Sequence, residues 1–165
     1  MQNFSEIQAL MKSDMEKTDD ILIDRLNSNV ELINKMSHYI ITSGGKRLRP
    51  LLLLLSARAT NYTGTDHHAM AVVIELIHTA TLLHDDVVDE STTRRGQDSA
   101  NELWGNAPSV LVGDFLYSRA FEIMVEPNSM AIMRILSKAT NQIAEGEVLQ
   151  LLNIRNANVS QTEYF

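Results

Sequence analysis

The chain has 165 residues, a net charge of −7 and no cysteine, and its length is that of one globular domain. The acidic balance argues against general nucleic-acid affinity and against a basic membrane-binding face, while the lack of cysteine excludes disulfides and thiolate metal sites. No apolar run approaches the roughly 20 residues that span a bilayer, so we expect a single soluble domain over residues 1–165, in the cytoplasm.

Apolar residues recur at helical spacing along most of the chain. The pattern predicts helices over residues 7–15, 21–41, 50–59, 67–89, 98–104, 108–125 and 129–152. Asp66 is the expected N-cap of the long fourth helix, and residues 90–97 are expected to form a polar loop. Because no alternating strand pattern is visible, the sequence predicts an all-α fold.

Three aspartates, Asp85, Asp86 and Asp89, close the predicted helix 67–89. At 100° per residue, Asp85 and Asp89 lie one turn apart on one face, and His78 falls within about 20° of the same line. Like charges one turn apart repel, and negative charge at a helix C-terminus opposes the helix dipole. The alternative is a solvated helix end, but the apolar residues that precede the acids favour a cavity and a bound cation. Oxygen ligands without cysteine suit Mg²⁺.

Two basic clusters complete the pattern. Gly44 and Gly45 precede Lys46 and Arg49 at the opening of a helix, where glycine backbone and helix N–H groups favour an anion. Arg94 and Arg95 follow Asp89 in the predicted loop and suit bidentate phosphate binding, although they could instead pair with the three aspartates. Acids for a metal and two groups of cations together fit a site for two diphosphates.

The segments GGKRLRP, IHTATLLHDDVVDESTTRRG and ANELWGNAPSVLVGDFLYSRAF together resemble the N-terminal half of the trans-polyprenyl diphosphate synthases. The resemblance implies half of an isoprenoid synthase helical bundle, a homodimer, and Mg²⁺-dependent condensation of isopentenyl diphosphate with an allylic diphosphate.

The resemblance also implies individual roles. Asp85 and Asp89 would bind Mg²⁺ with support from Asp86, and Arg94 would contact the allylic diphosphate. Isopentenyl diphosphate would be held by Lys46, Arg49, His78 and Arg95. Glu147 and Gln150 would line the same cavity.

Product length is expected to depend on Thr81, which lies one turn before Asp85, and on Ala80 beside it. Both are small, so a tunnel for the growing chain would remain open at this level. Nothing in the chain matches the second aspartate-rich motif of the family, so we expect a truncated N-terminal part with little synthase activity of its own.

Two other classes of protein remain open from the sequence. A non-catalytic subunit of a heteromeric synthase would keep the first motif and dimerise, but every expected ligand position of this half is intact. A terpene cyclase is also all-α and carries DDxxD, but the GGKRLRP segment and Arg94 and Arg95 argue against it, since a cyclase has no second diphosphate to hold.

Overall fold

The computed structural model describes residues 4–164 and is built from helices, with one two-stranded hairpin. The elements are α1 (Phe4–Leu10), α2 (Lys12–Arg25), α3 (Glu31–Thr42), α4 (Leu48–Ala59), α5 (Asp66–Val88), β1 (Thr93–Arg94), β2 (Gln97–Asp98), α6 (Ala100–Trp104), α7 (Asn106–Val125), α8 (Met130–Leu152) and α9 (Gln161–Tyr164). The all-α prediction is confirmed. Among the described residues no helix combines the length and apolar character that crossing a membrane requires.

The chain divides into two compact units, residues 1–127 and 128–165. In the first unit α5 is the central helix and packs on α7, α4 and α2. Met70, Val73, Ile77 and Leu83 of α5 are buried, as expected from their apolar spacing. The second unit consists of α8 and α9. The prediction of one domain over the whole chain stays a prediction.

The predicted helix 21–41 is wrong as one element, because the chain leaves the helix between α2 and α3. Side chains in this break bind backbone groups that a helix would use: Asn27 Nδ2 donates to the carbonyl of Asp24 at 3.1 Å, and the Ser28 amide donates to Asn34 Oδ1 at 2.9 Å. Short polar side chains compete with the helix in this way.

Two smaller expectations are also wrong. Asp66 is the first residue of α5 rather than its N-cap, which is Thr65; the Asp66 carboxylate accepts a hydrogen bond from the Tyr62 hydroxyl at 3.2 Å. The loop 90–97 contains most of a β-hairpin, in which Thr93 pairs with Asp98 and Arg94 with Gln97. Its turn uses left-handed backbone at Arg95 (φ 53°) and Gly96 (φ 80°).

Candidate active site

The loop between α3 and α4 is held in place by Arg47. Its backbone is left-handed, with φ at 45°, a conformation uncommon outside glycine. The guanidinium pairs with Asp19 of α2 at 3.2 Å and donates to the carbonyl of Ile41 at 3.5 Å. Arg47 therefore ties the loop to α2 and α3, and the loop places Lys46 at the wall of a cleft.

This basic cleft has a volume of about 390 Å³ and lies between the α3–α4 loop, α5 and the hairpin. Its lining brings together all four residues expected to hold one diphosphate. The lining residues are Gly45, Lys46, Arg47, Leu48, Arg49, Glu75, His78 and Arg95.

Arg49 and His78 are in direct contact, with 3.1 Å between Arg49 Nη1 and His78 Nε2. A guanidinium can only donate, so Nε2 accepts and the proton of the neutral ring lies on Nδ1. Burial lowers the pKa of His78 to about 4, and the positive charges of Arg49, Arg95 and Arg94 add to the effect. His78 is thus a neutral member of the cleft near pH 7.

Glu75 is a cleft residue that the sequence analysis missed. Burial raises the pKa of its carboxyl, while Arg47, Arg95 and Arg49 act to lower it. It lies three residues before His78 and so shares the helical face that points into the cleft. This three-residue spacing from His78 was visible in the sequence. The Glu75 carboxylate lies among the cations of the cleft and offsets part of their charge.

Arg95 reaches the cleft because Gly45 has no side chain. A Cβ at Gly45 would lie 2.5 Å from Arg95 Nη1, inside the closest approach of such atoms. The hairpin that carries Arg95 is fixed in turn, since Ser99 Oγ and Asn101 Nδ2 both donate to the carbonyl of Ser91, at 2.7 and 2.9 Å. The second glycine of the GGK segment therefore leaves room for the Arg95 guanidinium in this position, and a larger residue would displace it.

Asp86 is buried, with 2% of its surface exposed, and binds Arg94. Arg94 Nε donates to Oδ2 at 2.6 Å and Nη2 to Oδ1 at 2.5 Å. The hydrogen bonds from Arg94 to Asp86 raise the pKa of the guanidinium. Of the alternatives open from the sequence, pairing with an aspartate is what the structure shows for Arg94, and its contact with a diphosphate stays a prediction.

Asp85 and Asp89 occupy the other positions of the acidic motif. Asp85 is half-buried, and Asp89 is the exposed C-cap of α5. Both carboxylates help to raise the pKa of Arg94, so they lie close enough to act on its guanidinium. With Asp86 engaged by Arg94, the oxygen donors of Asp85 and Asp89 fit a hard divalent ion such as Mg²⁺.

The two residues expected to control product length differ in exposure. Ala80 is fully buried, whereas Thr81 is half-buried and its hydroxyl donates to the carbonyl of His78 at 2.8 Å. Glu147 and Gln150 lie exposed on α8 in the second unit, and their part in a cavity stays a prediction.

The polyprenyl synthetase family model matches residues 30–165. The chain belongs to the polyprenyl synthetase family. It is 49% identical to the octaprenyl diphosphate synthase of Escherichia coli over 162 residues, which are 98% of this chain and 50% of that protein. It is 45% identical to the all-trans-nonaprenyl-diphosphate synthase of Rhodobacter capsulatus, over 88% of this chain and 45% of that protein.

Solved structures of polyprenyl synthetase relatives share the fold. A polyprenyl synthase from Caulobacter crescentus, solved with calcium and isoprenyl diphosphate, superposes with a TM-score of 0.95 at 47% identity, covering 98% of this chain and 49% of that one. A decaprenyl diphosphate synthase from Rhodobacter capsulatus gives a TM-score of 0.92 at 43% identity, over 97% and 50% of the two chains. The resemblance drawn from the motifs and the isoprenoid synthase fold are confirmed, and the chain spans about half the length of these relatives.

Proposed function

We propose that this chain supplies the N-terminal half of a trans-prenyltransferase that condenses isopentenyl diphosphate with an allylic diphosphate. The product would be a long-chain prenyl diphosphate, octaprenyl as in the names of two relatives that are 49% and 47% identical, for quinone side chains. One observation carries the proposal: Lys46, Arg49 and Arg95 converge on one cleft beside the helix that ends in Asp85 and Asp89.

Isopentenyl diphosphate would bind in the basic cleft. Lys46, Arg49 and Arg95 offer charge-assisted hydrogen bonds, which are the strongest available to phosphate oxygens. Arg49 is already oriented by His78 at 3.1 Å, so little side-chain freedom is lost on binding. The cations come from a loop, a helix and a hairpin, so they can contact different oxygens of one diphosphate.

The allylic diphosphate would bind at the end of α5. Asp85 and Asp89 would hold Mg²⁺, which supplies charge neutralisation for the departing diphosphate. Asp86 keeps Arg94 beside these carboxylates through its two hydrogen bonds. Stabilisation of the leaving group by fixed positive charge is electrostatic catalysis and needs no protein nucleophile.

The test is incorporation of radiolabelled isopentenyl diphosphate into a longer prenyl product, with this chain and with a complete synthase beginning with this sequence. We expect little or no product from the chain alone and Mg²⁺-dependent product from the complete enzyme. Lys46→Gln should raise KM for isopentenyl diphosphate, and Asp85→Asn should lower kcat. Wild-type kinetics in both variants would disprove the assignment.

We also propose that the protein acts in the cytoplasm as a homodimer. Apolar side chains stand exposed on α7 and α8 within their respective units, and exposed apolar patches of this kind mark contact surfaces. They include Val110, Leu111, Val125, Ile135, Ile143, Val148, Leu149 and Leu152. Sedimentation should show a dimer at micromolar concentration, and a monomer at every concentration would refute this point.

A further inference from the structure

A group of one aspartate and two histidines, side chains of the types that bind metals, lies at the opposite end of α5. Asp14 of α2 meets His67 and His68 in the first turn of α5, and one donor atom from each lies within 4.8 Å of the others. His68 is 18 residues from Asp86, or about 27 Å along a helix. The group therefore cannot belong to the diphosphate site.

The donor atoms lie close to one another, within 4.8 Å. His68 Nε2 lies 3.1 Å from Asp14 Oδ1, close to the roughly 3.3 Å that separates two tetrahedral ligands at ordinary zinc bond lengths. The rings of His67 and His68 lie 3.9 Å apart between centroids. Nδ1 of His67 is buried and receives no hydrogen bond from the described part of the chain.

Arg58 of α4 orients the carboxylate of this group. Its Nε donates to Asp14 Oδ2 at 3.0 Å, and its Nη2 lies 2.8 Å from the same oxygen. One carboxylate oxygen is thus held by Arg58 while the other faces His68. Metal-bound carboxylates and imidazoles are commonly held by such outer hydrogen bonds.

We propose that Asp14, His67 and His68 form a binding site for a divalent transition metal, with Zn²⁺ the preferred ion, that joins α2 to the start of α5. Two imidazoles and one carboxylate suit zinc rather than magnesium, which favours oxygen ligands. Three protein ligands leave the fourth position to water. The ion clamps two helices of the first unit and takes no part in prenyl transfer.

The experiment is calorimetric titration of the untagged, chelator-treated 165-residue protein with zinc chloride. We expect one zinc ion per chain and a rise in melting temperature on addition, because an ion that binds only the folded state stabilises it. Cobalt(II) in the same site should give the strong visible absorption of a four-coordinate ion. His67→Ala and His68→Ala should each weaken zinc binding by at least about 10-fold.

His38→Ala is the matched control, since His38 is exposed on α3 and outside the group. It should bind zinc as the wild type does. Absence of zinc binding by the folded wild-type protein would overturn the proposal and leave Asp14, His68 and Arg58 as a metal-free ion-pair network. Equal zinc affinity in wild type, His67→Ala and His68→Ala would also overturn it, because the ion would then bind elsewhere. Circular dichroism of each variant separates lost binding from lost folding.

Discussion

Arg94 and Asp86 form a two-point ion pair in which the carboxylate is buried and the guanidinium reaches the surface. The two hydrogen bonds measure 2.6 and 2.5 Å, and the side chains are 32% and 3% exposed, respectively. The pair joins the hairpin to α5 at the level of the acidic motif. Asp86 therefore positions Arg94, and the metal-ligand prediction rests on Asp85 and Asp89.

Arg94→Ala should destabilise the fold by about 3 kcal/mol, because it leaves a buried carboxylate without its partner. Urea denaturation followed by circular dichroism measures this directly. Arg95→Ala is the matched control, since Arg95 is its exposed neighbour on the same hairpin and should change stability little. Equal stability of the two variants would show that the Asp86 pair contributes nothing.

Binding of pyrophosphate should be accompanied by proton uptake at His78. The pKa of the free protein's His78 is lowered from 6.5 to about 4, by burial first and by arginine charges second. An anion in the cleft offsets those charges and moves the pKa back up, so at pH 6 part of the population gains a proton. Calorimetry in two buffers of different ionisation enthalpy measures the number of protons taken up on binding. His78→Gln should take up fewer protons than the wild type. Identical proton counts in the two proteins would refute the linkage.

The lowered pKa of His78 also makes folding stability depend on pH. Between pH 6.5 and about 4 the unfolded chain binds a proton at this histidine that the folded chain does not. Folding stability should therefore fall as the pH drops through this window, and the fall should be shallower in His78→Gln. Above pH 6.5 both states carry a neutral ring, and the contribution vanishes.

Gly45→Ala should weaken pyrophosphate binding by about 1.5 kcal/mol, roughly tenfold, the value of one hydrogen bond to a charged group. The added methyl group would meet Arg95 Nη1 and move the guanidinium out of the cleft. Gly146→Ala is the control, because a Cβ there meets nothing within 4 Å. Gly146 lies in the interior of α8. It should leave binding unchanged and stabilise the helix by about 0.5–1 kcal/mol. Wild-type affinity in Gly45→Ala would show that Arg95 does not hold the anion.

Thr81→Phe in a complete synthase should shorten the prenyl product. Thr81 lies one turn before Asp85, so a ring there would meet the growing chain below the diphosphate. Ala80→Tyr should act in the same direction, but Ala80 is fully buried and overpacking typically costs about 1–3 kcal/mol, so Thr81 is the cleaner test. Chromatography of the dephosphorylated products measures chain length, with Thr81→Ser as control. A wild-type product length from Thr81→Phe would refute the hypothesis.

The sequence predicted α5 well because apolar periodicity and burial agree along it. The face shared by His78, Asp85 and Asp89 was inferred from the 3.6-residue repeat alone and stays a prediction. The hairpin could not be predicted in the same way, since strands of two residues show no alternation. Its turn depends on left-handed backbone at Arg95, a residue with no special preference for it.

Pairing was the other limit of sequence reasoning. Spacing places Asp85, Asp86 and Asp89 around a helix end, but it does not show which of them forms the ion pair with Arg94. That choice depends on the path of the hairpin, which a Ser99–Ser91 hydrogen bond of 2.7 Å helps to fix. Glu75 is different, because its three-residue offset from His78 was visible in the sequence and was not used.

The positive charge around Glu75 affects the choice of buffer for this protein. Lys46, Arg49 and Arg95 attract small multivalent anions of many kinds, since electrostatic attraction is not specific to one chemical group. We expect sulfate or inorganic phosphate in a storage buffer to enter the cleft, raise the melting temperature and weaken the apparent affinity for substrate. Samples kept in such buffers will resemble a ligand-bound protein.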